Sequence, residues 1–248
     1  AVYYTARALA ALDARSGVQL VTRCSAEDAP ALLPALEVFG LPVAWRPSRE
    51  TQSFRFHYED ERRVMELAAL GDEWIEDDVR GWAADAIGDA RWILLGALTR
   101  GDFTSGAIRA LADDGRRLLV EGHALVRRRR RGPLVEDAAA DPAVYPLIAA
   151  LKLNAEEAVT LVGSLDPDTL RSLGVPEIVV TKGSGGALVV TGDAAELVPA
   201  VEVEGPVDPT GAGDTFWVAY LLGRRDGLEP AAAAARAAAF ASLMLARP

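Results

Sequence analysis

The stretch Asp208-Pro-Thr-Gly-Ala-Gly-Asp-Thr-Phe216 carries the densest chemistry in the chain. Gly211, Ala212 and Gly213 let the backbone turn closely, so that successive N–H groups and the positive end of the apolar helix pattern that follows point at one spot. Such a spot binds anions. Asp214 falls in the first turn of that helix, beside the anion site, where its carboxylate can face a hydroxyl group while shielded from solvent. A base beside a phosphate site points to phosphoryl transfer, with the base taking the proton of the attacking alcohol. Aspartate is also a common helix cap, and on this stretch alone both readings of Asp208 and Asp214 stand.

Two further segments hold residues of a similar kind. In Lys152-Leu-Asn-Ala-Glu-Glu-Ala158 an amide and a carboxylate, Asn154 and Glu157, share one short run, and in Val180-Thr-Lys-Gly-Ser-Gly-Gly-Ala187 glycines cluster after a threonine. Taken singly, Asn154 and Glu157 read as a helix N-cap with its acidic first turn, and Gly183 to Gly186 as a hairpin turn. The sequence has neither a Gly-x4-Gly-Lys-Ser/Thr loop nor a Gly-x-Gly-x-x-Gly opening a helix after a strand, which weakens P-loop and dinucleotide readings.

The elements that must position these residues alternate. Apolar runs at Val18–Thr22, Arg91–Leu95, Arg117–Glu121, Leu151–Leu153 and Glu177–Thr181 read as strands, separated by segments patterned as helices. The alternation argues for an α/β fold with a mostly parallel sheet flanked by helices. Gly17, Gly40, Gly115, Gly174 and Gly227 mark helix ends, and Pro230 opens a last, alanine-rich helix through Ala246. Asn154 and Lys182-Gly183 then fall just past the C-terminal ends of strands, where ligands gather in open α/β sheets. The three motifs converge on one crevice.

Leu41–Ala68 breaks the alternation with strand-like runs that have no helix between them, and reads as a small antiparallel insert in a single domain spanning residues 1–248. In Thr51–Tyr58 the aromatics Phe54, Phe56 and Tyr58 alternate with Ser53, Arg55 and His57, so one face calls for a cover. That cover is the main domain, a bound substrate or a second subunit, the last making a homodimer through the insert. Half the residues are hydrophobic and a quarter charged, enough for a real core. A formal net charge of -10 repels a phosphate backbone, so nucleic acid is not an expected partner. With Cys24 the single cysteine and no long uncharged apolar run, a soluble cytoplasmic protein that does not enter a membrane is expected. The consecutive arginines Arg127–Arg131 read as a solvated loop kept extended by self-repulsion, against a phosphate-facing reading. His57 and His123 stand isolated and read as structural or solvated.

In this setting, Asp208-Pro-Thr-Gly-Ala-Gly-Asp-Thr-Phe216 resembles the C-terminal motif of the ribokinase-like (PfkB) carbohydrate kinase family. Asn154 and Glu157 match the family's Asn-x-x-Glu motif, and Thr181, Gly183 and Gly186 its Thr-x-Gly-x-x-Gly stretch, in the family's order and approximate spacing. The resemblance implies an ATP-dependent kinase of a small alcohol substrate, a sugar or cyclitol. Asp214 would be the base, and the Gly211, Ala212 and Gly213 amides would steady the transferring phosphoryl group. Thr181, Gly183, Gly186 and Thr210 would border the nucleotide, and Asn154 with Glu157 would organise Mg²⁺, Glu157 through water. The insert at about 41–68 would be a lid. The family's opening strand, with a substrate-binding Asp, and its later Gly-Gly pair do not occur here. Ala1-Val-Tyr-Tyr-Thr-Ala6 resembles the residues after that pair, so a central strand and part of the acceptor site are expected to lie outside this sequence. Tyr4, near the position where many sugar kinases carry Asn, is similar, with the insert and Val207-Asp-Pro-Thr-Gly, to the myo-inositol kinase branch. The competing expectation is a nucleotide- or metabolite-binding protein of the same fold without turnover.

Overall fold

A computed structural model describes residues 2–59, 62–203 and 210–246. Asp208 and Val207 of the C-terminal motif lie outside the described residues, as does the side chain of Tyr58. Along the chain run helix Val2–Ala11 (α1), strand Leu20–Ser25 (β1), helix Ala29–Glu37 (α2) and strands Val43–Ser48 (β2), Ser53–Glu59 (β3) and Arg62–Ala69 (β4). The short helices Glu76–Arg80 (α3) and Ala84–Ile87 (α4) lead to strand Trp92–Leu95 (β5), helix Ser105–Ala112 (α5), strand Arg117–Glu121 (β6), helix His123–Val126 (α6) and strand Gly132–Pro133 (β7). Then come strand Ile148–Asn154 (β8), helices Ala155–Val162 (α7) and Pro167–Arg171 (α8), strands Glu177–Thr181 (β9), Ala187–Thr191 (β10) and Ala195–Val198 (β11), and helices Ala212–Arg225 (α9) and Pro230–Leu245 (α10).

The main sheet has six strands in the order β11-β10-β9-β8-β6-β5. Strands β5, β6, β8 and β9 are parallel, and β10 and β11 extend the sheet antiparallel beyond β9. The parallel strands are apolar almost throughout because both faces are covered. Their side chains alternate between two layers: Leu118, Val120, Leu151 and Leu153 join the core containing α5 and α7, whereas Leu119 and Ala150 join the core containing α9 and α10. Small residues let those last two helices approach closely, since a Cβ on Gly223 would lie 3.0 Å from the Ala233 Cβ. Trp217 and Tyr220 stack at 5.0 Å in the same layer, and each buried ring of this size contributes on the order of 1.5–3 kcal/mol. The Tyr220 hydroxyl donates to Glu177 Oε2 at 2.7 Å, which ties α9 to the start of β9.

A third core joins α1, β1 and α2 to α9 through Leu9, Leu20, Leu36 and Leu222. Here β1 and β2 pair in parallel as a separate two-stranded sheet. A trough of about 1300 Å³ lies between β1 and β5, lined by Leu20, Cys24, Leu95 and Leu222 among others. Among the described residues, no helix is long and apolar enough to cross a membrane.

The insert differs from the sequence expectation in its composition. Strand β2, inside the 41–68 stretch, belongs with β1, and the antiparallel sheet is built from β3, β4 and the distant two-residue β7. The pattern of β2 cannot show this, because a parallel partner lies across a helical crossover rather than a turn. Phe54 opposes Leu67, which is fully buried, whereas Phe56 opposes Met65 and is exposed.

The arginine run also corrects its reading as a self-repelling loop. Arg127 pairs with Glu136 at 3.1 Å, Arg128 with Asp137, Arg129 with Asp102 at 3.3 Å and Arg131 with Glu50. The repulsion is offset by Glu136 and Asp137, a few residues further along the chain, and by Glu50 and Asp102 on separate segments of the fold.

Candidate active site

The C-terminal ends of β6, β8 and β9 lie side by side, with Glu121 opposite Lys152 and Asn154 opposite Thr181. Asn154 caps α7: its Oδ1 accepts from the Glu157 N–H at 2.7 Å, while Glu157 Oε2 accepts from the Asn154 N–H at 2.9 Å. This is a capping box, so the local reading of the pair is realised. Glu157 is nevertheless buried, unusual for a first-turn acid, and its Oε1 lies 3.8 Å from His123 Nδ1 and 4.0 Å from Arg127. Gly122 makes room for it, because a Cβ there would sit 2.5 Å from Glu157 Oε2.

Glu121 and Lys152 form a buried ion pair at the same end of the sheet. His123 Nε2 lies 3.0 Å from the other Glu121 oxygen without being aligned for a hydrogen bond. Burial pushes the Glu121 carboxyl up, but Lys152 and His123 together outweigh it and hold the group ionised below its ordinary range. The expectation that His123 stands isolated is therefore wrong. It sits between two buried carboxylates, Glu121 two residues before it in the chain and Glu157, which becomes its neighbour only when α7 packs against β6.

Helix α9 begins at the glycine-rich turn. Gly211 caps it at φ +80°, a left-handed conformation that favours glycine, and Thr215 N–H closes the first turn on the Gly211 carbonyl at 2.9 Å. A Cβ on Gly211 would lie 2.2 Å from the Tyr4 ring, so Tyr4 packs directly on the turn. A Cβ on Gly213 would lie 3.0 Å from Lys152 Nζ, so the helix start and the end of β8 meet. The first-turn amides of a helix have no acceptor within it, and at this end they flank the Lys152 ammonium. Asp214, half-buried in the same turn, has its pKa raised by burial first and by Glu121, with Lys152 and His123 pulling the other way. Its position inside the helix also removes it from the cap, which Gly211 provides.

The structure thus gathers Asn154, Glu157 and Thr181 on the sheet end and brings Gly211, Ala212, Gly213 and Asp214 against it through Lys152. Thr181 spends its hydroxyl on the Leu153 carbonyl at 3.2 Å. Gly183 and Gly186 lie in the β9–β10 turn at positive φ. Gly186 has a packing role of its own, since a Cβ would sit 2.1 Å from the Val198 carbonyl oxygen. Thr210 stands at the turn just before α9.

A phosphate donor and Mg²⁺ can be tested against these residues. No group of three or more His, Cys, Asp or Glu side chains able to hold a metal occurs among the described residues. Magnesium binds through one or two carboxylates, phosphate oxygens and retained waters. With Oε2 engaged in the cap and Oε1 turned toward His123 and Arg127, Glu157 fits contact with such an ion through water. The set does not fit an ion held by protein alone. The positive face made by Lys152 and the α9 amides suits donor phosphates.

Sequence reasoning missed Glu121, Gly122, His123, Arg127 and Lys152. One signal was present: the chain has 24 arginines and only two lysines, Lys152 and Lys182, and both stand at or just past the C-terminal end of a parallel strand.

Residues 128–248 match the family model described as pfkB family carbohydrate kinase. Among solved structures, the chain is similar to a pyrophosphate-dependent kinase in the ribokinase family complexed with a pyrophosphate analog and myo-inositol, with a TM-score of 0.82 and 24% identity over 100% of this chain and 86% of that one. It is similar also to a Burkholderia thailandensis nucleoside kinase in complex with inosine, with a TM-score of 0.76 and 22% identity over 99% and 78% of the two chains. A third similar structure is ribokinase from Thermotoga maritima, with a TM-score of 0.75 and 16% identity over 99% and 79%. At such identities the likeness is one of fold. Residues 128–248, which hold Asn154, Glu157, Gly183, Gly186 and Asp214, thus match the pfkB family of carbohydrate kinases, in a chain whose fold is that of ribokinase.

Proposed function

We propose that the protein transfers the γ-phosphoryl group of ATP to a hydroxyl of a small sugar or cyclitol, with Asp214 as the base. The observation that carries this reading is the placement of Asp214: in the first turn of α9, raised in proton affinity by burial, and beside Lys152 and the helix amides without being the helix cap. A carboxylate so placed accepts the acceptor's proton as its oxygen attacks phosphorus. The Gly211, Ala212 and Gly213 amides face the oxygens on which charge builds. The bond from phosphorus to the bridging oxygen breaks, and the departing phosphate keeps the electron pair. Bound Mg²⁺ would supply charge neutralisation on the donor phosphates, held through water by Glu157. Asn154 keeps Glu157 oriented through the capping box, and Thr181, Gly183, Gly186 and Thr210 would lie along the donor's nucleotide side.

Tyr4, packed on Gly211, would border the acceptor, and β3–β4 would close over it as a lid that excludes water, with Phe54 and Phe56 on the covering face. A second copy of the chain packing on exposed Phe56 would give a homodimer through that lid. Pyrophosphate is the second donor to consider, because a pyrophosphate-dependent kinase is among the structures this fold resembles. A panel of sugars, cyclitols and nucleosides, each offered with ATP or pyrophosphate and magnesium and followed by phosphorus NMR, tests the reading. A phosphorylated cyclitol or sugar with ATP supports it, and product with pyrophosphate alone replaces the donor. Binding of ATP with no product from any acceptor would overturn it in favour of a binding protein.

A further inference from the structure

We propose that Lys152 is the cation that contacts the transferring phosphoryl group, and that Glu121 holds it in place until the donor arrives. This rests on the kinase reading above and names a residue to which that reading gives no role. Lys152 lies near the end of β8 on the same side as Ala150, facing α9, while Leu151 and Leu153 face the opposite layer. Its side chain is 9% exposed, and its Nζ reaches the first turn of α9 beside Gly213, itself exposed. The ammonium is thus buried on its stem and stops at the mouth of the site.

Two positive features meet there. The N-terminal end of a 14-residue helix disfavours a cation and favours an anion, yet the fold directs an ammonium at it. Glu121 forms the ion pair with the ammonium and also faces His123 across 3.0 Å, while Asp214 in the first turn of α9 is the other carboxylate near it. A buried ion pair adds little stability over apolar residues of similar size, so packing gives no reason to place a lysine at this point. A phosphoryl group does, since it is an anion that the amides and the ammonium can bind together. The residue type fits as well, because an ammonium is a compact point charge suited to a phosphate oxygen, and this chain otherwise uses arginine for 24 of its 26 basic side chains.

In the step itself the acceptor oxygen forms its bond to phosphorus, the bridging oxygen leaves with the electron pair, and the acceptor proton passes to Asp214. Lys152 exchanges Glu121 Oε1 for a non-bridging phosphoryl oxygen and stays protonated throughout. His123 remains beside Glu121, so the carboxylate is not left without a neighbour.

The test uses Lys152→Met, Glu121→Gln and the double variant, with two readouts: turnover, and calorimetric binding of magnesium-free pyrophosphate. Lys152→Met strands the Glu121 charge and can fail to fold, whereas the double variant removes both charges and restores melting near the wild type. The proposal expects the double variant to remain about 10²- to 10³-fold slower in kcat, the usual loss for one donor to a developing oxyanion. It also expects pyrophosphate to bind the double variant at least about tenfold more weakly than the wild type. A double variant that regains both stability and pyrophosphate affinity would reduce Lys152 to a structural ion pair and overturn the proposal. If the wild type phosphorylates no acceptor, the kinase reading fails, and the pyrophosphate arm still decides whether Lys152 meets a phosphate.

Discussion

Replacing Asp214 by asparagine separates chemistry from folding. The side chain is half-buried in the first turn of α9, where an anionic residue contributes about 0.3–1 kcal/mol through the helix dipole. Against this, burial and Glu121 already disfavour its charge, as the raised pKa records. Asparagine therefore loses the dipole contribution and sheds the cost of a buried charge, a net change within about 1 kcal/mol. For a chain of this length that moves Tm by roughly 2–4 °C at most. Turnover behaves differently, because asparagine cannot take a proton. A loss of roughly 10²- to 10⁴-fold in kcat is expected, equivalent to about 2.7–5.4 kcal/mol of barrier at 1.36 kcal/mol per tenfold. The wild-type rate should also rise with pH along a limb lying above the ordinary carboxylate range, since the raised group must lose its proton to act as base, and that limb should vanish in the variant. Circular dichroism melts and a coupled assay across pH supply both readouts. Asparagine turnover within about fivefold of the wild type, with the acid limb intact, would refute the assignment of Asp214 as base.

Gly186→Ala should lower Tm by more than about 5 °C, because φ +80°, ψ -143° costs a non-glycine residue about 1–3 kcal/mol and the new Cβ would meet the Val198 carbonyl at 2.1 Å. Gly183→Ala, with nothing within 4 Å of its Cβ, should cost less, and equal melting shifts would show that the β10–β11 packing does not govern this turn. Glu157→Gln keeps an acceptor for the Asn154 N–H and so preserves the start of α7, but it should weaken magnesium-dependent turnover more than metal-free ATP binding; unchanged magnesium dependence would return Glu157 to helix capping alone. Arg100 and then Arg128 hold the Asp137 pKa below its ordinary value, so its contribution to stability is present above about pH 4 and fades as pH falls through the lower folded value. Asp137→Asn should flatten the acid side of the urea-midpoint profile, and a profile as steep as the wild type would assign that limb to other carboxylates.

Much of the sheet was legible because parallel strands buried on both faces announce themselves as short apolar runs. Arg117–Glu121 and Glu177–Thr181 fall where they were expected, and β8 extends its apolar core at both ends. The glycine turn and Asp214 were legible too, since turn geometry, first-turn amides and the following helix are all set by neighbours in the chain. Asn154 and Glu157 show the limit of such local reading: their pattern predicts the capping box that forms, but not that Glu157 is buried against Gly122 and His123. Those contacts join residues more than thirty positions apart. The pairing of Glu121 with Lys152 and the Gly213 contact at the Lys152 ammonium have the same origin. So does the assignment of β2 to β1 rather than to the insert. The arginine run carries the lesson in electrostatic form: in sequence it is five like charges with Glu136 and Asp137 a few residues on, and only tertiary packing brings Glu50 and Asp102 beside it. What the amino-acid order determined by itself was each element's period, its turns and its first-turn chemistry, because those depend on neighbours a few residues apart. Only the tertiary structure decided which charges are buried together, because in a folded chain a charge's surroundings are set by distance in space.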